Sequence, residues 1–165
     1  MFESTLSKVD EEKAVFELNE CPISRDQKLN ALWDLCQSSE SITPETKAKL
    51  NFYFLIRFLR VEKFDIKCAL RRLERYFELQ RDWPELYQDF NIDSVRYIYE
   101  RGIIELISQP DDEGTTIIIF RNARWNPEWC IHEAYRAIAF LFEYLLQRYP
   151  FWIIETIAVI WKQNI

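Results

Sequence analysis

Cys130 and the one histidine of the chain, His132, stand two residues apart, where a thiolate and an imidazole could attempt nucleophilic chemistry. No coherent catalytic set can be assembled around them. His132, between Ile131 and Glu133, reads as a solvent-facing or capping residue near a helix start. Asp111, Asp112 and Glu113 form a run of carboxylates, but a calcium loop needs its ligands at alternate positions, so the run reads as a solvated turn. Two glycines in 165 residues rule out a glycine-rich phosphate loop, and no serine lies in a G-x-S-x-G elbow. The four cysteines, at 21, 36, 68 and 130, form no Cys-x-x-Cys pair, and with a single histidine a zinc site is not expected. Cys36 and Cys68 fall on the apolar faces of expected helices, where a thiol acts as a small hydrophobe. The protein therefore reads as a non-enzyme without cofactor or metal.

The formal net charge is −6, which argues against nucleic acid as a partner. The charge is unevenly placed. Between Lys47 and Arg81, ten Lys/Arg face four Asp/Glu, a local balance of +6 that leaves −12 for the remainder. Such a basic stretch can meet an anionic membrane or can simply be a solvated helix face. Residues 1–20 lack the basic start and apolar run of a signal peptide. The apolar tracts at Ile138–Leu146 and Phe151–Trp161 are too short or too interrupted to span a bilayer. A reduced, cytosolic protein fits these features.

The elements that must position these residues are mainly helical, because glycine and proline are scarce and apolar residues recur at helical spacing. Val9–Asn19 predicts a short acidic helix. Ser24 to Gln27 reads as a capping box opening a helix that carries Leu29, Leu32, Trp33 and Cys36 on one face. Thr43-Pro44 supplies an N-cap and N1 for a helix whose buried stripe is Leu50, Phe54, Leu55, Phe58 and Leu59. Asp65 caps the next helix, with Ile66, Ala69, Leu70, Leu73, Tyr76 and Phe77 inward, and Trp83-Pro84 ends or kinks it. Ser94–Arg101 predicts a short helix stopped by Gly102. Pro110–Gly114 is a turn, and Thr115–Phe120 is an apolar, β-branched run suited to a strand buried on both faces. Asn126-Pro127 opens the approach to a helix over Glu133–Gln147, apolar on most sides, which must be enclosed or line an apolar cavity. Ile153–Trp161 reads as a second strand making a β-α-β crossover with Thr115–Phe120, or as a terminal helix; its Ile, Thr and Val content favours the strand.

Three segments together resemble the CRAL-TRIO (Sec14-like) lipid-binding family, on its tocopherol-transfer and retinaldehyde-binding (clavesin-like) side. They are the FLIRFLR…FD…A…L helix-corner-helix of Phe54–Phe77, the segment Trp83–Leu106 that opens with WPELYQDF, and GTTIIIFRNARWNPEW leading into YRAIAFLFEYLLQ at Gly114–Gln147. The resemblance implies a mostly helical α/β protein. Residues 1–92 would be the N-terminal helical CRAL-TRIO subdomain, and residues 93–165 part of the α/β lipid-binding domain: first strand, helix and a second strand. The family continues past Ile165, so the domain would be incomplete, truncated at its C-terminal side.

The resemblance further implies binding and intracellular transfer of a small hydrophobic lipid (tocopherol, retinoid or phospholipid class) between membranes, without chemistry. Truncation would impair that activity. The implied cavity wall is Ile103, Ile119, Tyr135, Ile138 and Phe142. The implied contacts to an anionic, phosphoinositide-containing membrane are Arg60, Lys63 and Lys67. Glu62 stands where tocopherol-transfer-like members carry a phosphate-contacting Arg. The implied localisation is cytoplasmic, peripheral on endosomal or Golgi-type membranes. An alternative is a non-catalytic interaction module that pairs through an exposed C-terminal apolar surface.

Overall fold

The boundaries of each element follow from where backbone groups find partners. The computed structural model describes residues 2–4, 6, 8–87, 90–109, 116–148 and 157–161. Two compact units emerge, Met1–Asp82 and Trp83–Ile165.

The first unit contains α1 (Lys8–Leu18), α2 (Pro22–Ser38), α3 (Pro44–Lys49), α4 (Phe52–Val61) and α5 (Ile66–Asp82). The expected capping box at Ser24 is not how α2 begins. Pro22 occupies the first turn and Cys21 is the N-cap, because proline brings the helical φ and no N–H to satisfy. Thr43 does cap α3, its Oγ1 accepting from the Thr46 amide at 3.3 Å. The stripe expected to run unbroken from Leu50 is interrupted: Leu50 and Asn51 are extended, and Asn51 Oδ1 accepts from the Phe54 amide at 2.9 Å to start α4 afresh. Leu29, Leu32, Cys36, Leu55, Ile56, Leu59, Ala69 and Leu73 close the core between α2, α4 and α5. Phe54, Phe58, Tyr76 and Phe77 interlock beside it with ring centroids 5.2 to 5.9 Å apart.

The second unit contains α6 (Pro84–Tyr87), α7 (Arg96–Glu100), β1 (Ile104–Leu106), β2 (Thr116–Phe120), a 3-10 turn at Asn122–Arg124, α8 (Ile131–Arg148) and β3 (Ile157–Trp161). The sheet order is β1-β2-β3, with β1 antiparallel and β3 parallel to β2. The expected second strand is therefore present over Ile157–Trp161, α8 lying between the two parallel strands in sequence. The turn at Pro110–Gly114 and residues 151–156 lie outside the described residues.

β1 was not anticipated. Gly102 ends α7 at φ 62°, a left-handed conformation that glycine adopts without strain, and a Cβ there would press on the Arg124 guanidinium at 2.5 Å. Ile103 then leads into a strand whose Ile104 and Leu106 pair with Phe120 and Ile118. Side chains alternate across a strand, so these four share one face, turned to Ala137, Leu141 and Leu145 of α8. β2 is accordingly a half-buried strand rather than one covered on both faces: Ile118 and Phe120 are buried, while Thr116, Ile117 and Ile119 keep partial access to solvent. The structure is thus mostly helical with a small sheet, an α/β arrangement.

Candidate functional site

The first candidate surface is the corner between α4 and α5. Lys63 and Phe64 both adopt left-handed backbone (φ 48° and 64°), a conformation that costs a non-glycine residue roughly 1–2 kcal/mol. Burial of the Phe64 ring and two hydrogen bonds offset that cost: the Phe64 amide donates to the Leu59 carbonyl at 2.7 Å and the Lys63 amide to the Arg60 carbonyl at 3.1 Å. Asp65 Oδ1 then accepts from the Cys68 amide at 2.9 Å and caps α5, and that bond holds its carboxyl below the usual Asp value. Lys63 and Lys67 are exposed at this corner. Glu62 is engaged by the Arg72 guanidinium, which damps the repulsion that its carboxylate would exert on an anion.

Arg60 is not part of that surface. It is only 2% exposed and forms a two-pronged pair with Glu20, Nε to Oε2 at 2.8 Å and an Nη to Oε1 at 2.9 Å, while Arg25 adds a third contact to Oε1 at 3.2 Å. The expectation of a membrane-contacting Arg60 is therefore corrected. Its position in α4 turns it toward the α1–α2 connection, where a planar fork matches a buried carboxylate. Glu20 is the residue that sequence reasoning missed, because it lies forty positions away and only folding brings the two together.

The second candidate surface is on α8. Ala137, Leu141 and Leu145 recur every fourth residue and face the sheet. Beside them runs another apolar stripe, Ile131, Tyr135, Ile138 and Phe142, spaced four, three and four residues apart. Ile138 partly packs on the core, but Ile131 and Tyr135 are each 52% exposed and Phe142 is 37% exposed. Ile131 belongs to this stripe by spacing and could have been found from the sequence. Two other proposed wall residues go elsewhere. Ile103 is packed inside the core, and Ile119 points to the opposite sheet face, beside Glu105 in the register. Among the described residues, then, Tyr135, Ile138 and Phe142 come together, and Ile103 and Ile119 do not join them.

Tyrosines fix α8 in place. The Tyr97 hydroxyl donates to Glu133 Oε2 at 2.7 Å and the Tyr99 hydroxyl to the Ala137 carbonyl at 2.6 Å; burial pushes both phenols well above their ordinary range. Cys130 and His132 flank the start of this helix, Cys130 exposed and His132 half-buried. No group of three or more His, Cys, Asp or Glu suited to a metal occurs among the described residues. No described helix is long and apolar enough to cross a membrane.

In sequence the chain is similar to curated proteins of the CRAL-TRIO (Sec14-like) family, and its small sheet with α8 packed on one face is consistent with a mostly helical α/β fold of that kind. No family model matches the chain. Among curated proteins it is similar to human "Alpha-tocopherol transfer protein-like", with 32% identity over 136 residues, 82% of this chain and 39% of the relative. The mouse protein of that name matches at the same identity and coverage. Human "Clavesin-2" is 25% identical over 139 residues, 82% of this chain and 42% of the relative. The chain thus spans about two-fifths of the length of these relatives.

Proposed function

We propose that this chain takes part in binding a small hydrophobic lipid of the tocopherol, retinoid or phospholipid class and in moving it between membranes. The observation that carries the reading is the partly exposed apolar stripe Ile131–Tyr135–Ile138–Phe142 beside the sheet-facing side of α8. Each apolar side group that becomes fully buried contributes roughly 1.5–3 kcal/mol, so several sharing one apolar molecule would hold it firmly. The name "Alpha-tocopherol transfer protein-like" borne by relatives supports the ligand class. Lys63 and Lys67 would face anionic, phosphoinositide-containing membrane, with Arg72 pairing with the neighbouring Glu62. The protein would be cytoplasmic and peripheral on endosomal or Golgi-type membranes, shielding its cargo from water without altering it.

Fluorescence titration of the folded chain with tocopherol or retinaldehyde tests the reading. Saturable binding is expected, and weakening it by Phe142→Ser ties the ligand to α8. A well-folded chain without saturable binding removes the transfer reading. The same exposed stripe favours one alternative, a non-catalytic interaction module. A stable lipid-free dimer in light scattering, abolished by Phe142→Ser, would support that alternative instead.

A further inference from the structure

Among the described residues, the most exposed large apolar side chains belong to the first unit. Ile23 is 93% and Phe16 88% exposed, with Val9 and Val15 also outward on α1. Ala14 is the buried residue of α1, and Val9 and Phe16, seven residues apart, lie on its opposite side. α1 carries four carboxylates against Lys8 and Lys13, and of these Glu12 is the most open to solvent. Asp10, Glu11 and Glu17 are half-buried, and Glu11 and Glu17 lie 4.0 Å from Arg25 and Lys13 respectively. Lys8 and Lys13 are exposed on the same helix as the apolar residues.

This apolar edge adjoins the basic corner. Asn19, at φ 60° between α1 and α2, reaches the Lys63 carbonyl with its amide nitrogen at 3.5 Å. Lys28 of α2 sits over the Phe64 ring at 5.5 Å. Phe16 and Ile23 thus flank the α1–α2 turn, and that turn rests against the corner bearing Lys63 and Lys67. Separate bulky side chains flanking a turn that adjoins the corner where Lys28, Lys63 and Lys67 lie suit a fluid apolar phase beneath anionic headgroups. A protein partner would instead require a shaped, contiguous patch.

We infer that the α1–α2 turn is a membrane-inserting element, with Phe16 and Ile23 entering the headgroup–acyl boundary of an anionic bilayer while Lys28, Lys63 and Lys67 meet its headgroups. The inference deepens the membrane-exchange reading above and rests on it for the kind of partner. Neither apolar side chain is buried in the fold, so substituting both leaves the core intact.

The test is cosedimentation of the full chain with phosphatidylcholine vesicles, with and without phosphatidylserine, using wild type, Phe16→Ser/Ile23→Ser and Lys63→Glu/Lys67→Glu. Circular dichroism and the tocopherol titration run alongside. The apolar double variant is expected to lose vesicle partition by roughly tenfold per side chain. The lysine variant is expected to lose the preference for phosphatidylserine. Both should retain wild-type circular dichroism and any tocopherol binding. Equal partition of wild type and Phe16→Ser/Ile23→Ser overturns the inference, as does absence of wild-type binding to either vesicle. So does a variant that alters oligomeric state in light scattering but not partition, which would mark the turn as a protein interface. Vesicle binding without tocopherol binding would instead overturn the transfer reading and leave the inserting turn standing.

Discussion

The two units solve the same packing problem to different degrees. In the first, α2, α4 and α5 enclose a core, and even the charges at its edge are paired, with Arg60 and Glu20 both about 2% exposed. In the second, α8 covers one face of the sheet and turns a second apolar stripe outward. A unit whose core is closed is suited to be a scaffold, with Phe16 and Ile23 standing apart from that core at the α1–α2 edge. A unit that leaves apolar area uncovered is suited to receive something apolar.

The largest effect expected from breaking this contrast is at the buried ion pair. Glu20→Ala removes the carboxylate that pairs the buried Arg60 guanidinium and should cost about 3–5 kcal/mol in denaturant unfolding of the first unit. Its counterpart, Phe142→Ser on the outward stripe of α8, should change stability by less than about 0.5 kcal/mol while weakening tocopherol binding. A Phe142→Ser variant that unfolds, or a Glu20→Ala variant that does not lose stability, would erase the distinction between scaffold and receptor surface.

A core truncation in the second unit, Ile118→Ala, should cost about 2–5 kcal/mol and unfold β2 together with α8, because Ile118 is the sheet residue at the centre of their shared cluster. Loss of one helix cap is smaller: Asn51→Ala should cost about 1 kcal/mol, measured as a shift in the denaturation midpoint.

The α5 cap should be sensitive to pH. The folded-state value of Asp65 is depressed, so its contribution is fully present above the unfolded carboxyl value of about 3.9 and is lost as pH falls through the lower folded value. The stability gap between wild type and Asp65→Ala should therefore hold at neutral pH and close under strong acid. Cys36 gives the smallest signal. Burial pushes its thiol up to about 11, so a thiol reagent at mildly alkaline pH should modify exposed Cys130 at once and Cys36 only after unfolding.

How much could be read from residue order differs from place to place. The helix stripes of α4 and α5, the Thr43 and Asp65 caps and the β-branched run of β2 were legible, because each is encoded within a few neighbouring residues. Ser24 misled because its capping pattern competed with Pro22, and proline fixes its own φ without a partner. β1 escaped notice because three residues become a strand only through their ladder to β2.

The candidate site divides in the same way. The spacing of Tyr135, Ile138 and Phe142 along α8 places them together, and a helix keeps that relation in any surroundings. Ile103 and Ile119 depended on which face of the sheet the helix would cover, and Arg60 on whether a carboxylate would meet it.

By itself, then, the sequence determined the apolar stripes of the long helices, the Thr43 and Asp65 caps, the resemblance to the CRAL-TRIO family and the charge balance of the α4–α5 segment. Tertiary structure decided direction. It turned Arg60 inward to Glu20, Ile119 away from α8, and Phe16 and Ile23 outward. The physical reason is range: propensity and capping act over a turn of helix, whereas burial and charge pairing depend on partners that are distant in sequence until folding joins them.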